Sequence, residues 1–156
     1  MGVVLDTSVI VAGLRSSAGA SSEVLKQLGQ RKFQIAATPG IFLEYEQVLK
    51  RAEHRLPADQ VQAFLRELAA VINPVQIYFL WRPQLKDAKD ELVLEAAING
   101  RVRAIVTHNR RDFELAAQRF GIDVWSPAEL LRNLRKKGRG TDRASARNSG
   151  IAAQAS

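Results

Sequence analysis

Hydrophobic residues fall along this chain in two kinds of run. The short, dense ones are Val3 to Leu5, "FQIAA" (33–37), "AIVT" (104–107) and "IDVW" (122–125), and their β-prone composition predicts strands. The longer ones repeat every three to four residues and predict helices. Ser21 is placed to cap one that runs through Val24, Leu25 and Leu28 to Gly29. Thr38-Pro39 starts another through "IFLEYEQVLKR", with proline at the first helical position. Pro57 and Asp59 open "ADQVQAFLRELAAVI", whose Val61, Phe64, Leu65, Leu68 and Val71 share a face, and Pro74 ends it. "KDELVLEAAI" is expected to stop at Asn99-Gly100 in a left-handed cap, and "RDFELAAQRF" at Gly121. Ser126 to Glu129 forms a capping-box start for "PAELLRNL".

Strands alternating with amphipathic helices predict a three-layer α/β/α domain around a central, mainly parallel sheet. Such sheets place ligands outside the carboxyl ends of their strands, at a topological switch point. Asp6 follows the first strand directly and is delivered to that edge. Thr107 ends the "AIVT" strand, with Asn109 and Asp112 within five residues of it. An unpaired carboxylate in an apolar setting neutralises, finds a cation or binds a metal. Asp, Thr and Ser are also turn and cap residues, so Thr7 and Ser8 can equally cap the helix that follows Asp6.

Asp90 shares a stripe with Val93, Leu94, Ala97 and Ile98, which turns it inward; Asp87 is the better N-cap of that helix. In "IFLEYEQVLKR" the apolar face is centred near Ile41, Tyr45 and Val48. Glu44 and Glu46 both lie on its border, and spacing does not choose between them.

The net charge of +7 suggests a polyanionic partner until it is divided along the chain. Residues 132–156 hold seven of the 23 basic residues and one of the 16 acids, so residues 1–131 are nearly neutral. Beyond residue 134 lies a basic tail, "RKKGRGTDRASARNSGIAAQAS", with Ile151 as its one large apolar residue. That composition predicts disorder from about residue 137, and a tail able to assist RNA binding by neutralising phosphates or simply to aid solubility. The domain is therefore set at 1–134 and the tail at 135–156.

The remaining composition narrows the chemistry. With no cysteine, there is no disulfide framework, thiolate zinc site or cysteine nucleophile. No run of about 20 apolar residues or secretory signal occurs, so the expectation is an intracellular, cytoplasmic protein without a membrane span. His54 and His108 lack ligand spacing to each other, and solvated or capping roles are expected for both. Phosphate-cradling glycine loops and a G-x-S-x-G elbow are missing. A phosphoryl-transfer domain built around Asp6 would want a second Asp two residues on, where Ser8 stands. What remains is a set of carboxylates from separated segments. Crowded carboxylates repel one another, and a hard divalent cation, Mg²⁺ or Mn²⁺, is the natural means of keeping them ionised.

Four stretches then resemble, in order, the motifs of PIN-domain ribonucleases: "VVLDTSVIVAGL", "FLEYEQVLKR", "DAKDELVLEAAINGRVRAIVTHNRRDFE" and "GIDVWSPAELL". The nearest likeness is to the small bacterial proteins classed as toxin components of toxin–antitoxin systems, the VapC-like group. The resemblance implies an acidic site that binds Mg²⁺ or Mn²⁺ and hydrolyses RNA, with Asp6, Glu44, Asp90 and Asp112 as its catalytic and metal-binding acids. It thereby chooses Glu44 over Glu46. Thr7, Ser8, Thr107 and Asn109 would support those acids, and Lys89, Arg110 and Arg111 would contact RNA phosphates. A small antitoxin is the partner it implies, and homodimers are common in the family. Two positions depart from the pattern: Ser8 stands where Asn is frequent, and Asn109 where many relatives have Asp, which leaves the fourth acid to Asp112. Those departures define the alternative, a catalytically silent PIN-like domain that binds RNA or protein.

Overall fold

The structure is a computed structural model that describes residues 1–78 and 84–152, with 141–152 as backbone only. Among the described residues, five strands form one parallel sheet in the order β3-β2-β1-β4-β5, with β1 at Gly2–Leu5, β2 at Gln34–Ala37, β3 at Ile72–Pro74, β4 at Ala104–Val106 and β5 at Asp123–Trp125. The chain builds outward from β1 to β3, then returns to the other side of β1 for β4 and β5. The switch point therefore lies between β1 and β4, in the register Val3↔Ala104, Val4↔Ile105 and Leu5↔Val106. Val3, Val4, Leu5, Ala104, Ile105 and Val106 are all fully buried. A parallel sheet covered on both faces needs such uninterrupted apolar strands, and the covering helices complete the three-layer α/β/α fold.

The helices are α1 (Thr7–Arg15), α2 (Ala20–Lys26), α3 (Pro39–Leu49), α4 (Ala58–Val71), α5 (Ala88–Asn99), α6 (Glu114–Arg119) and α7 (Pro127–Ala152). Three begin at the caps the sequence predicts. The Thr38 hydroxyl accepts the Ile41 amide at 3.2 Å, Asp87 accepts the Lys89 amide at 2.8 Å, and the Ser126 hydroxyl accepts the Glu129 amide at 3.2 Å.

Other boundaries differ. Thr7 and Ser8 lie inside α1 and do not cap it; Asp6 holds the cap position, and its carboxylate makes no cap hydrogen bond. Gly19, not Ser21, precedes α2. Ser21 is buried within the helix, and its hydroxyl lies 2.7 Å from Nε2 of His108. The chain beyond α4 does not simply stop at Pro74. Ile72–Pro74 forms edge strand β3 against β2, a position where proline's missing amide costs the ladder nothing. Gly100 ends α5 at φ −80, and the left-handed residue is Arg101. Gly100 is small for another reason: a Cβ there would sit 2.8 Å from the Ala96 carbonyl and 3.2 Å from the Ala36 Cβ. The helix expected over "RDFELAAQRF" is a 3-10 turn at Arg110–Asp112 followed by the short α6.

The backbone of α7 is helical out to Ala152, past residue 137, where composition predicts that order ends. Ala, Arg and Lys are good helix formers and no proline follows Pro127, so local propensity permits helix where nothing apolar remains to be buried. Residues 153–156 of the tail lie outside the described residues. Among the described residues, no helix is long and apolar enough to cross a membrane.

Candidate active site

At the switch point β1 hands Asp6 to the carboxyl edge of the sheet. Its backbone amide still bonds the Val106 carbonyl at 2.9 Å, so the side chain stands where the ladder ends. Asp6 is 5% exposed, and its two oxygens are served unequally. Oδ2 accepts the hydroxyls of Thr107 at 2.7 Å and Ser8 at 2.8 Å, whereas Oδ1 has only a long 3.4 Å contact with the Thr7 hydroxyl. Thr107 is fixed in turn, because its Oγ1 accepts the Asn109 amide at 2.9 Å. Ser8 Oγ accepts the His108 amide at 3.3 Å, which ties the start of α1 to the loop after β4.

Glu44, from the second turn of α3, faces the same cleft. Its Oε1 is buried and, among the described residues, has no hydrogen-bond partner; Lys89 Nζ on α5 is 3.9 Å away. Glu46 points elsewhere and pairs with Lys50 one turn along its own helix at 2.5 Å. Beneath both, the buried Tyr45 hydroxyl donates to the Leu5 carbonyl at 2.5 Å, joining α3 to the end of β1. Burial and the nearby Asp6 charge push the Tyr45 phenol far above its ordinary value, so it stays a neutral donor.

Asp90, in the first turn of α5, is half-buried, and burial followed by the charges of Asp6, Asp87, Asp112 and Glu91 pushes its carboxyl up to about 6. Acids from β1, α5 and the loop after β4 thus feel one another's charge. Asp6, Glu44 and Asp90 line a cleft of about 700 Å³ together with Thr7, Ser8 and Asn109. Asp112 is exposed and lines the neighbouring hollow, which shares Asp87 and Asp90 with the first.

The basic candidates separate. Lys89 lies in the acidic cleft, and Arg111 lines the hollow beside Asp112. Arg110 is engaged otherwise, with Nη1 2.5 Å from Glu129 and Nε 3.6 Å from Glu114, so it braces the start of α7 against the 3-10 turn. Arg15 and Arg51 also line the cleft, and sequence reading missed both. Each stands near the end of a helix, α1 or α3, and nothing local distinguishes it from a solvated charge. Glu91 was missed as well: this buried carboxylate accepts the backbone amides of Gln84 and Leu85 and so anchors the segment leading into α5.

The donor set suits a hard divalent cation. It consists of carboxylate oxygens, one of them buried without a hydrogen-bond partner among the described residues, and a carboxyl whose ionisation is opposed by burial and by neighbouring like charges. Among the described residues, no three acids or histidines are gathered into a ready-made ion cage.

Both the fold and the sequence have counterparts among known proteins. A chain of the crystal structure of VapBC2 from Rickettsia felis bound to a DNA fragment from their promoter superposes with a TM-score of 0.58 at 16% identity, covering 81% of this chain and 98% of that one. At that identity the likeness concerns the fold. Among curated proteins, none matches the chain. The sequence matches the PIN domain family over residues 2–111, from the first residue of β1 through the loop after β4, and this protein belongs to that family.

Proposed function

We propose that this protein is a Mg²⁺- or Mn²⁺-dependent endoribonuclease of the cytoplasm and the toxin member of a toxin–antitoxin pair. The observation that carries the reading is Oε1 of Glu44, buried without a hydrogen-bond partner among the described residues and 3.9 Å from the Lys89 ammonium, in a cleft shared with Asp6 and Asp90. PIN domains are generally nucleases, and the likeness to VapBC2 supports a small antitoxin as partner.

Asp6, Glu44 and Asp90 would hold the cation, with Asp112 reaching it from the adjoining hollow. A bound Mg²⁺ or Mn²⁺ supplies Lewis acidity, which neutralises charge on the phosphate and lowers the pKa of water. Thr107 and Ser8 hold Asp6 by its Oδ2 and leave Oδ1 facing outward from that pair of hydrogen bonds. Lys89, Arg15 and Arg51 rim the cleft and would position the phosphates on either side of the scissile bond. Asp112, exposed in the adjoining hollow, would orient the attacking water.

The test is incubation of purified protein with a panel of RNAs in Mg²⁺, Mn²⁺ or chelator. Cleavage should require the metal, vanish in Asp6→Asn and Glu44→Gln, and persist in Glu46→Gln. Undiminished metal-dependent cleavage by Asp6→Asn would refute the assignment. The second reading, a silent PIN-like domain, is favoured by Asn109, which brings no charge to the cleft. RNA binding without cleavage under every metal would establish it.

A further inference from the structure

On the edge of the domain away from the acids, α2 and α7 enclose a second groove, of about 590 Å³, lined by Arg31, Lys32, Arg135 and Lys137 with Glu23 as its one acid. Its position follows from topology. Arg31 and Lys32 lie just before β2, at the amino edge of the sheet. From Pro127, beyond the end of β5, α7 travels back about 15 Å by Lys137, at 1.5 Å per residue. Among the described residues, five lysines and arginines elsewhere form ion pairs, as Arg103 does with Asp123 and Lys50 with Glu46. Among the described residues, Arg31, Lys32 and Arg135 make no ion pair.

We propose that this groove is a second nucleic-acid site, an anchor for the phosphate backbone of a single-stranded RNA. Like charges held around one concavity repel until a polyanion fills it, and guanidinium groups suit phosphate oxygens. The occupant is a strand and not a single anion because the charge does not end at the groove. In the sequence it continues through Arg139, Arg143 and Arg147, against the single acid Asp142. A lipid surface is disfavoured by the composition of the same stretch, whose one large apolar residue beyond Lys137 is Ile151. The anchor would hold a strand whose other part reaches the acidic cleft on the opposite edge, so long RNAs would be bound and cut in preference to short ones. That preference, though not the binding itself, rests on the nuclease reading above.

The experiment measures binding of a labelled single-stranded RNA to full-length Asp6→Asn protein across a salt series, with and without Lys32→Glu and Arg135→Glu together. Each phosphate contact on a single strand contributes about 0.7 to the slope of log affinity against log salt, so the double reversal should flatten the slope by about 1.4 and weaken binding about tenfold at low salt. Lys32→Arg with Arg135→Lys should restore both. Unchanged affinity and slope would overturn the proposal. So would capture of anionic phosphatidylserine vesicles, lost on charge reversal, with RNA binding intact. Both side chains are exposed, and Lys32→Gln with Arg135→Gln provides a milder pair should the reversals impair folding. In the metal-competent protein, the reversals should reduce cleavage of a long RNA and spare that of an oligonucleotide too short to span the domain. Failure of the nuclease reading would abolish all cleavage and leave the binding contrast in place, whereas failure of the anchor would leave cleavage and remove the contrast.

Discussion

Without a divalent cation, Asp90→Asn is expected to stabilise this protein. Burial and four neighbouring acids raise the Asp90 carboxyl from its ordinary 3.8 to about 6, so above that pH the folded state carries a charge its surroundings oppose. Taken whole, the difference corresponds to about 3 kcal/mol. Asp90 is only half-buried and solvent screens its neighbours, so about 1 kcal/mol is the expected effect. Between pH 3.8 and 6 the folded chain keeps a proton that the unfolded chain releases. Wild-type stability from this group therefore rises as pH falls through 6, and the rise is complete below 3.8. Asparagine is neutral throughout. Urea unfolding in chelator at pH 7.5 should show the variant about 1 kcal/mol more stable than wild type, and the gap should narrow at pH 5. Adding Mg²⁺ should reverse the order, because binding to the folded state stabilises only a chain that keeps its ligand. A variant no more stable than wild type at pH 7.5, with no narrowing at pH 5, would refute the claim that burial and the neighbouring carboxylates oppose the Asp90 charge.

Two further substitutions probe how the site is held. Thr107→Val keeps the shape of a fully buried side chain but removes one of the two hydrogen bonds to Asp6 Oδ2 and strands the Asn109 amide. It should cost about 1–3 kcal/mol in thermal or urea unfolding and slow RNA cleavage, and an unchanged rate would show that Asp6 needs no such restraint. Gly100→Ala should destabilise by about 1–3 kcal/mol, because overpacking against the Ala96 carbonyl, Val75 and Ala36 outweighs alanine's better helix propensity; a higher melting temperature would show that the turn can shift to admit a Cβ.

Much of the fold was legible because its signals are local. Thr38, Asp87 and Ser126 cap their helices with hydrogen bonds spanning two or three residues, which a sequence displays directly. β3 was hidden because Ile72 continues the apolar pattern of α4, and its strand character comes only from pairing with β2, far away in sequence. Ser21 looks like a cap, yet its partner is His108, 87 residues on. Asn99-Gly100 resembles a left-handed cap, but the constraint on Gly100 comes from Val75 and Ala36 in other segments.

The candidate site divides along the same line. Asp6 was legible as a strand-end carboxylate, since a parallel sheet sends its loops to one edge. Glu44 and Glu46 were indistinguishable as border positions of one helix, although a discriminating signal was present. Lys50 lies four residues after Glu46, the spacing at which a surface pair forms, and nothing basic stands at that distance from Glu44. A carboxylate with a neighbour of opposite charge one turn along has its own explanation; one without it needs a partner from outside the helix. Here the outside partner, Lys89, stops at 3.9 Å. Ser8 completes the picture. Its hydroxyl and that of Thr107 converge on the same oxygen of Asp6, so Oδ2 is saturated and Oδ1 is nearly bare. Asp6 Oδ1 and Glu44 Oε1 are thus two oxygens in one cleft that the fold supplies with almost no hydrogen bonds, and a hard cation is the ligand that both would accept.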